Sequence, residues 1–148
     1  MVVSTGSWTN FTIAALTTDA DADYLNTNST SYVEGRLRGF DFSIPGGATI
    51  EGIEITISLA SSAGNATAYA RARISKDAGS NWSAYDTEVS TTGSISHTFG
   101  SPTDKWGLTL SQSEVNDTTN FYVGLEGYET ATNRQCRIEY LNVTVHVS

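Results

Sequence analysis

The chain has 148 residues with 16 acidic and 8 basic side chains, a formal net charge of −8. That length suits one domain burying about two thirds of its unfolded surface, and 39% hydrophobic residues, 10% of the chain being aromatic, are too many for disorder. The charge argues against nucleic acid or an anionic membrane as partner, no apolar run spans a bilayer as a helix, and the single cysteine excludes an intramolecular disulfide or a cysteine-built zinc site.

Residues 1–7 read as an N-terminal arm and residues 8–148 as one domain. Met1 to Ser7 has neither the basic nor the apolar stretch of a signal peptide. The rest is rich in Ser, Thr, Gly and Asn, as on surfaces outside cells, which points to release by another route such as lysis. Asn-x-Ser/Thr triplets at Asn10, Asn28, Asn65, Asn81, Asn116 and Asn142 have the form of glycosylation acceptors; without export they stay bare.

Strand signals dominate, with a period of two. Residues 8–15 give a weak strand. Asp19, Asp21 and Asp23 then place alternate carboxylates in an extended segment, which can converge on Ca²⁺, although no glycine or glutamate follows at EF-hand spacing; a solvated acidic turn is the plainer reading. Arg36 and Arg38 share one strand face. Pro45, Gly46 and Gly47 make a corner. Ile53, Ile55, Ile57 and Leu59 alternate with Glu54, Thr56 and Ser58, a half-buried strand. Residues 61–65 form a loop. Ala66 to Ala72 at even positions, with Ile74, oppose Thr67, Tyr69, Arg71 and Arg73. Asp77 to Asn81 has the composition of a hairpin connection.

Ser111 with Glu114 three residues on is a capping box for a single helical turn. Phe121, Val123 and Leu125 alternate with Tyr122, Gly124 and Glu126. In the last strand the apolar set changes parity, from Cys136 and Ile138 to Leu141, Val143, Val145 and Val147. A bulge near Tyr140-Leu141 reconciles the two sets. Many strands without crossover helices predict an all-β antiparallel sandwich.

Two stretches carry a resemblance. Phe40-Asp41-Phe42-Ser43-Ile44-Pro45-Gly46-Gly47-Ala48-Thr49-Ile50-Glu51-Gly52-Ile53-Glu54-Ile55 and Thr103-Asp104-Lys105-Trp106-Gly107 resemble a jelly-roll-like β-sandwich family found in phage virion structural proteins and bacterial surface proteins. Asn120 to Gly124 and Arg137 to Val145 resemble its closing strands. The resemblance spans roughly residues 19 to 148 and implies a jelly-roll-like sandwich without assigned chemistry. It also implies a virion structural protein, a capsid decoration (cement) protein on the exterior surface or a tail or fibre protein, in a homo-oligomer with the major capsid protein or other virion proteins as partners.

No catalytic signature is present, so no enzyme is expected. His97 and His146 stand apart, and Glu126, Glu129 and Glu139 read as solvated strand residues rather than a glycosidase pair. Arg36, Arg38, Arg71 and Arg73 read equally as an ion-pair ladder or as interface anchors. Trp106 reads first as a plug in the core, and Trp82 and Trp106 second as stacking platforms for a glycan, the route to a carbohydrate-binding module. Gly52 marks a close backbone approach, and Cys136 a buried reduced thiol. No cofactor is expected, Ca²⁺ at the three aspartates apart.

Overall fold

The computed structural model describes residues 2–4 and 25–148. The expected strand over residues 8–15 and the candidate calcium ligands Asp19, Asp21 and Asp23 lie outside the described residues. The described elements are β1 (Val2–Ser4), β2 (Leu25–Thr27), β3 (Val33–Leu37), β4 (Ile50–Ser61), β5 (Ala68–Ser75), β6 (Val89–Thr91), β7 (Ser94–Gly100), α1 (Gln112–Val115), β8 (Tyr122–Glu129) and β9 (Cys136–Val147).

They form two antiparallel sheets, ordered β1-β3-β8-β5-β6 and β2-β9-β4-β7. From β2 onward the pairing is concentric. β2 pairs with β9, β3 with β8, β4 with β7 and β5 with β6, all antiparallel. A long hairpin folded over on itself in this way is a jelly roll. The fold is therefore the all-β sandwich expected, with helix confined to one turn among the described residues. Within the segment expected as an arm, the backbone of Val2–Ser4 extends the five-stranded sheet by pairing with β3.

The period-two pattern decides what lies between the sheets. Ile53, Ile55, Ile57 and Leu59 of β4 are fully buried, as are Ala68, Ala70, Ala72 and Ile74 of β5. The small alanine face lets the sheets approach, and Phe99, Phe121, Val123, Leu125 and Ile138 complete the core. The parity change in β9 has the expected cause. Tyr140 pairs with Ser58 but Ile138 pairs with Leu59, so Glu139 is an extra residue. This bulge exchanges the faces. Cys136 and Ile138 point inward before it, and Leu141, Val143 and Val145 after it. A second register shift, between Ile50 and Gly52, sits at the other end of β4.

The capping box forms as read. Ser111 Oγ accepts from Glu114 N at 3.3 Å, and Glu114 Oε2 accepts from Ser111 N at 2.8 Å. Lys76 lies 2.8 Å from Glu114 and, with these bonds, holds its carboxyl below the usual range.

Two expectations need correction. Residues 77–81 do not close a tight hairpin. Ala78 and Gly79, at φ 59° and 80°, supply the left-handed pair of a type I′ turn, but β6 starts only at Val89. Asp77 closes the turn by accepting from both the side chain and the backbone of Asn81, which lowers its pKa. The chain from 81 to 88 then runs along the edge of β5, Ser83 N donating to Ile74 O and Asp86 N to Ala72 O at 2.9 Å each, and lays the Trp82 and Tyr85 rings over the outer face of the five-stranded sheet. Glu129 is the second correction. It is fully buried, its carboxylate accepting from Ser61 Oγ at 2.7 Å and Thr130 N at 2.9 Å.

Candidate functional site

The outer face of the five-stranded sheet holds the densest arrangement of functional side chains in the described chain. Alternation along β3, β8 and β5 builds it in rows. Glu34, Glu126 and Arg71 are cross-strand neighbours, and Arg36, Gly124 and Arg73 form the next row. Tyr128 and Tyr69 pair beyond the first row, their rings stacked 4.6 Å apart at 3°.

Charges in these rows are matched. Glu34 bridges Arg36 at 2.6 Å and Arg73 at 2.7 Å, and Arg71 meets Glu126 at 2.6 Å. The arginines that sequence left open between ladder and anchor are thus joined in a ladder within the chain. Arg38 takes another role, donating to Tyr122 Oη at 3.1 Å with its guanidinium 5.7 Å from that ring.

Aromatic rings interleave with the guanidinium groups. Arg71 lies 3.8 Å from the Tyr32 ring and 4.0 Å from Tyr85. Arg73 lies 4.5 Å from Tyr85 and 4.3 Å from Trp82, and Arg36 lies 5.2 Å from Trp82. Tyr32, Arg71, Tyr85, Arg73, Trp82 and Arg36 therefore alternate as one pile of rings and cations, a favourable arrangement for each pair. Gly124 makes room for it. A Cβ there would lie 2.9 Å from Trp82 Cζ3 and 3.2 Å from Arg73 Cγ. Tyr85 is half-buried and hydrogen-bonded to Glu126; burial first, then that bond and the carboxylate charge, push its pKa up. Burial raises Tyr128 as well, helped by Glu88.

The expected ligand residues part company here. Trp82 joins this face. Trp106 is buried at 7% exposure and closes one end of the sandwich, its Nε1 donating to Ile53 O at 2.9 Å. Its backbone takes φ 58°, fixed by a 2.6 Å bond from Trp106 N to Asp104 Oδ1. Gly52 serves that same end: a Cβ there would run into the Pro102 and Ser101 carbonyls. Beside the plug a hollow of about 230 Å³ is lined by Ala84, Tyr85, Asp86, Asp104, Trp106 and Gly107.

Other candidates stay apart. Glu126 points outward and Glu129 inward from β8, so they do not converge as a carboxylate pair. His146 meets Glu54 at 2.7 Å, while His97 packs edge-on to Phe99 at 4.6 Å. Cys136 is fully buried, and burial pushes its thiol up to about 12, far from a nucleophile's range. Among the described residues no group of three or more His, Cys, Asp or Glu gathers as metal ligands.

Sequence reasoning placed Tyr69 with Arg71 and Arg73 on one strand face and Tyr122 with Glu126 on another, but missed Tyr32 and Tyr128 as members of this face and the loop that brings Trp82 and Tyr85 onto it.

No family model matches the chain, and no curated protein matches it in sequence. Among solved structures the chain is similar to one described as Family 16 Carbohydrate Binding Module-2, with 8% identity and a TM-score of 0.44, over 84% of this chain and 78% of that one.

Proposed function

We propose that the chain is a virion structural protein, a decoration protein that binds the exterior of a capsid and bridges neighbouring capsomers. The observation that carries this reading is the pairing of the phage-type pattern with the architecture it occupies. Phe42, Ile44, Gly52 and Trp106 build and close the sandwich, while the charged side chains of the long outer face are spent on one another. Such a domain works as a rigid block presenting faces. It acts by burying area across subunit boundaries, so that disassembly must first break those contacts. The test is to strip the protein from particles and add it back. Heat resistance of the particles should fall and then recover; unchanged resistance, or labelling at the tail instead of the shell, overturns the reading.

A carbohydrate-binding role is the second reading. Five of the seven tyrosines and one tryptophan gather on the outer face of one sheet, the arrangement that sugar stacking requires. Guanidinium groups cover several of those ring faces, which disfavours it. Retention on a glycan array that is lost in Tyr69→Ala would establish this role over the first.

A further inference from the structure

We propose that the outer edge of β7 is a self-pairing edge, on which β7 of a second copy of this chain adds antiparallel, so that two four-stranded sheets join into one. This goes beyond the decoration reading and does not depend on it.

The edges themselves select the strand. Among the described residues the two sheets end on β1, β6, β2 and β7. The first three have three residues each, whereas β7 has seven, Ser94-Ile95-Ser96-His97-Thr98-Phe99-Gly100. Long edges are ordinarily blunted by charged side chains, proline or a bulge. β7 has no proline, lysine, arginine or carboxylate, and it pairs with β4 without a register shift. Its one titratable side chain, His97, packs on Phe99 at 4.6 Å. Such an edge is a template for another strand.

Two hydrogen bonds show which backbone groups this edge offers. Ser61 N donates to Gly93 O at 2.8 Å, which puts the bonded positions of the β4–β7 ladder at Gly93, Ile95, His97 and Phe99. Gly100 N turns away from β4 and donates instead to Asp86 Oδ2 at 2.6 Å. Ser94, Ser96 and Thr98 therefore direct their N–H and C=O groups outward, and all three residues are exposed. Asp86 closes the edge at one end, and the connection from β6 closes it at the other.

Symmetry then names the occupant. The open stretch centres on Ser96. An antiparallel copy set two-fold about that residue places Ser94 against Thr98 and Ser96 against Ser96, and each such pair exchanges both of its bonds. The contact is isologous and closed, because each copy spends its own β7 edge on it. Side chains agree with this register. On the outer face Ser58 already neighbours Ser96, and Thr56 bonds to Thr98 at 2.8 Å. The second copy extends those rows with further hydroxyls, which are favourable cross-strand neighbours. On the inner face the half-buried Ile95 and His97 meet and cover each other. Charge permits the approach although the chain carries −8. The two-fold sends the Asp86 carboxylates of the two copies to opposite ends of the paired strands. They stand about 26 Å apart along the strand direction, beyond a screening length of about 8 Å.

Sedimentation of the full chain over a concentration series, with hydrogen exchange read residue by residue, is the test. Wild type should pass reversibly from monomer to dimer, and the amides of Ser94, Ser96 and Thr98 should gain protection as the dimer forms. Ser96→Pro removes the central outward donor and no bond to β4, at an edge position that tolerates proline. It should raise the dissociation constant at least about tenfold. Ser96→Lys keeps the backbone donor but sets two ammonium groups side by side at the axis. It should weaken the dimer as much, and it stands in for the proline variant if circular dichroism shows that one unfolded. Asn142→Lys, on the outer face of the same sheet but on β9, should leave the dimer unaltered. A monomer at every concentration up to about 1 mM overturns the proposal. So does a dimer indifferent to the Ser96 variants, one weakened by Asn142→Lys, or one in which the three amides stay unprotected. Particle decoration is read separately by heat resistance, so either idea can fail alone.

Discussion

Adding one methyl group at Gly52 and adding one at Gly124 are different perturbations, because the neighbours differ. At Gly52 the new Cβ meets backbone carbonyls of Ser101 and Pro102, which cannot retreat without opening the end of the sandwich beside Trp106. Gly52→Ala should therefore cost about 2–4 kcal/mol in denaturant unfolding. At Gly124 the obstacle is the far edge of the Trp82 ring, carried on a loop. Gly124→Ala should cost under about 1 kcal/mol while shifting the tryptophan fluorescence. Cys136 gives a prediction with a pH sign. Its native thiol is pushed up to about 12 by burial, whereas an unfolded thiol ionises near about 8.5. Below that lower value both states keep the proton and stability is whole. Above it only the unfolded chain releases the proton, so stability falls as pH rises, until the native thiol also titrates. The slope from this one group is about 1.4 kcal/mol per pH unit. Denaturation midpoints between pH 8 and 10 should fall more steeply for wild type than for Cys136→Ala; equal slopes would remove the thiol from the account. Tyr85 and Tyr128, both raised, act in the same direction at higher pH.

At the scale of elements, alternation was the legible signal. It located β4, β5, β8 and β9, because each buries one face and a period of two is the only way to do so. The parity change in β9 announced a bulge, found at Glu139 beside the expected pair, and the capping box located α1 because both partners lie within one turn. The segment from Asp77 to Val89 was not legible. Its turn chemistry was correct, but the turn's exit direction depends on Trp82 finding the space above Gly124, a contact distant in sequence. Glu129 was misread for a related reason. Its partner Ser61 belongs to β4, and a single chain position does not reveal that a buried carboxylate will be satisfied there. The candidate face was half legible: the arginine pairs were seen, and the aromatic residues that lie among them were scattered through loops and two strands. Trp82→Ala tests how far that loop depends on the pile. It should cost about 1–2 kcal/mol, the loss of ring contacts with Arg73 and Arg36 at a partly exposed site, and should expose the 81–88 segment to proteases. An intact, protease-resistant loop in that variant would show that the hydrogen bonds of Asp77, Ser83 and Asp86 hold it without the ring.

For the whole molecule, concentric pairing governs how the fold is reached. Its sheets join strands from opposite ends of the chain, and non-local pairing of this sort slows folding into the range of milliseconds to seconds; stopped-flow refolding in microseconds would contradict the topology. Biosynthesis sharpens the point. A ribosome delivers β2, β3 and β4 well before β7, β8 and β9, so the early strands of the jelly roll emerge without their concentric partners. β5 and β6 are the first such pair complete on the nascent chain. Closure then runs outward from that pair, and β9, the latest of the described strands, enters between β2 and β4, which were delivered long before it. Until it leaves the exit tunnel, the apolar side of β4 has no lateral neighbour on that flank, and the nascent domain must be kept from its siblings on the same message.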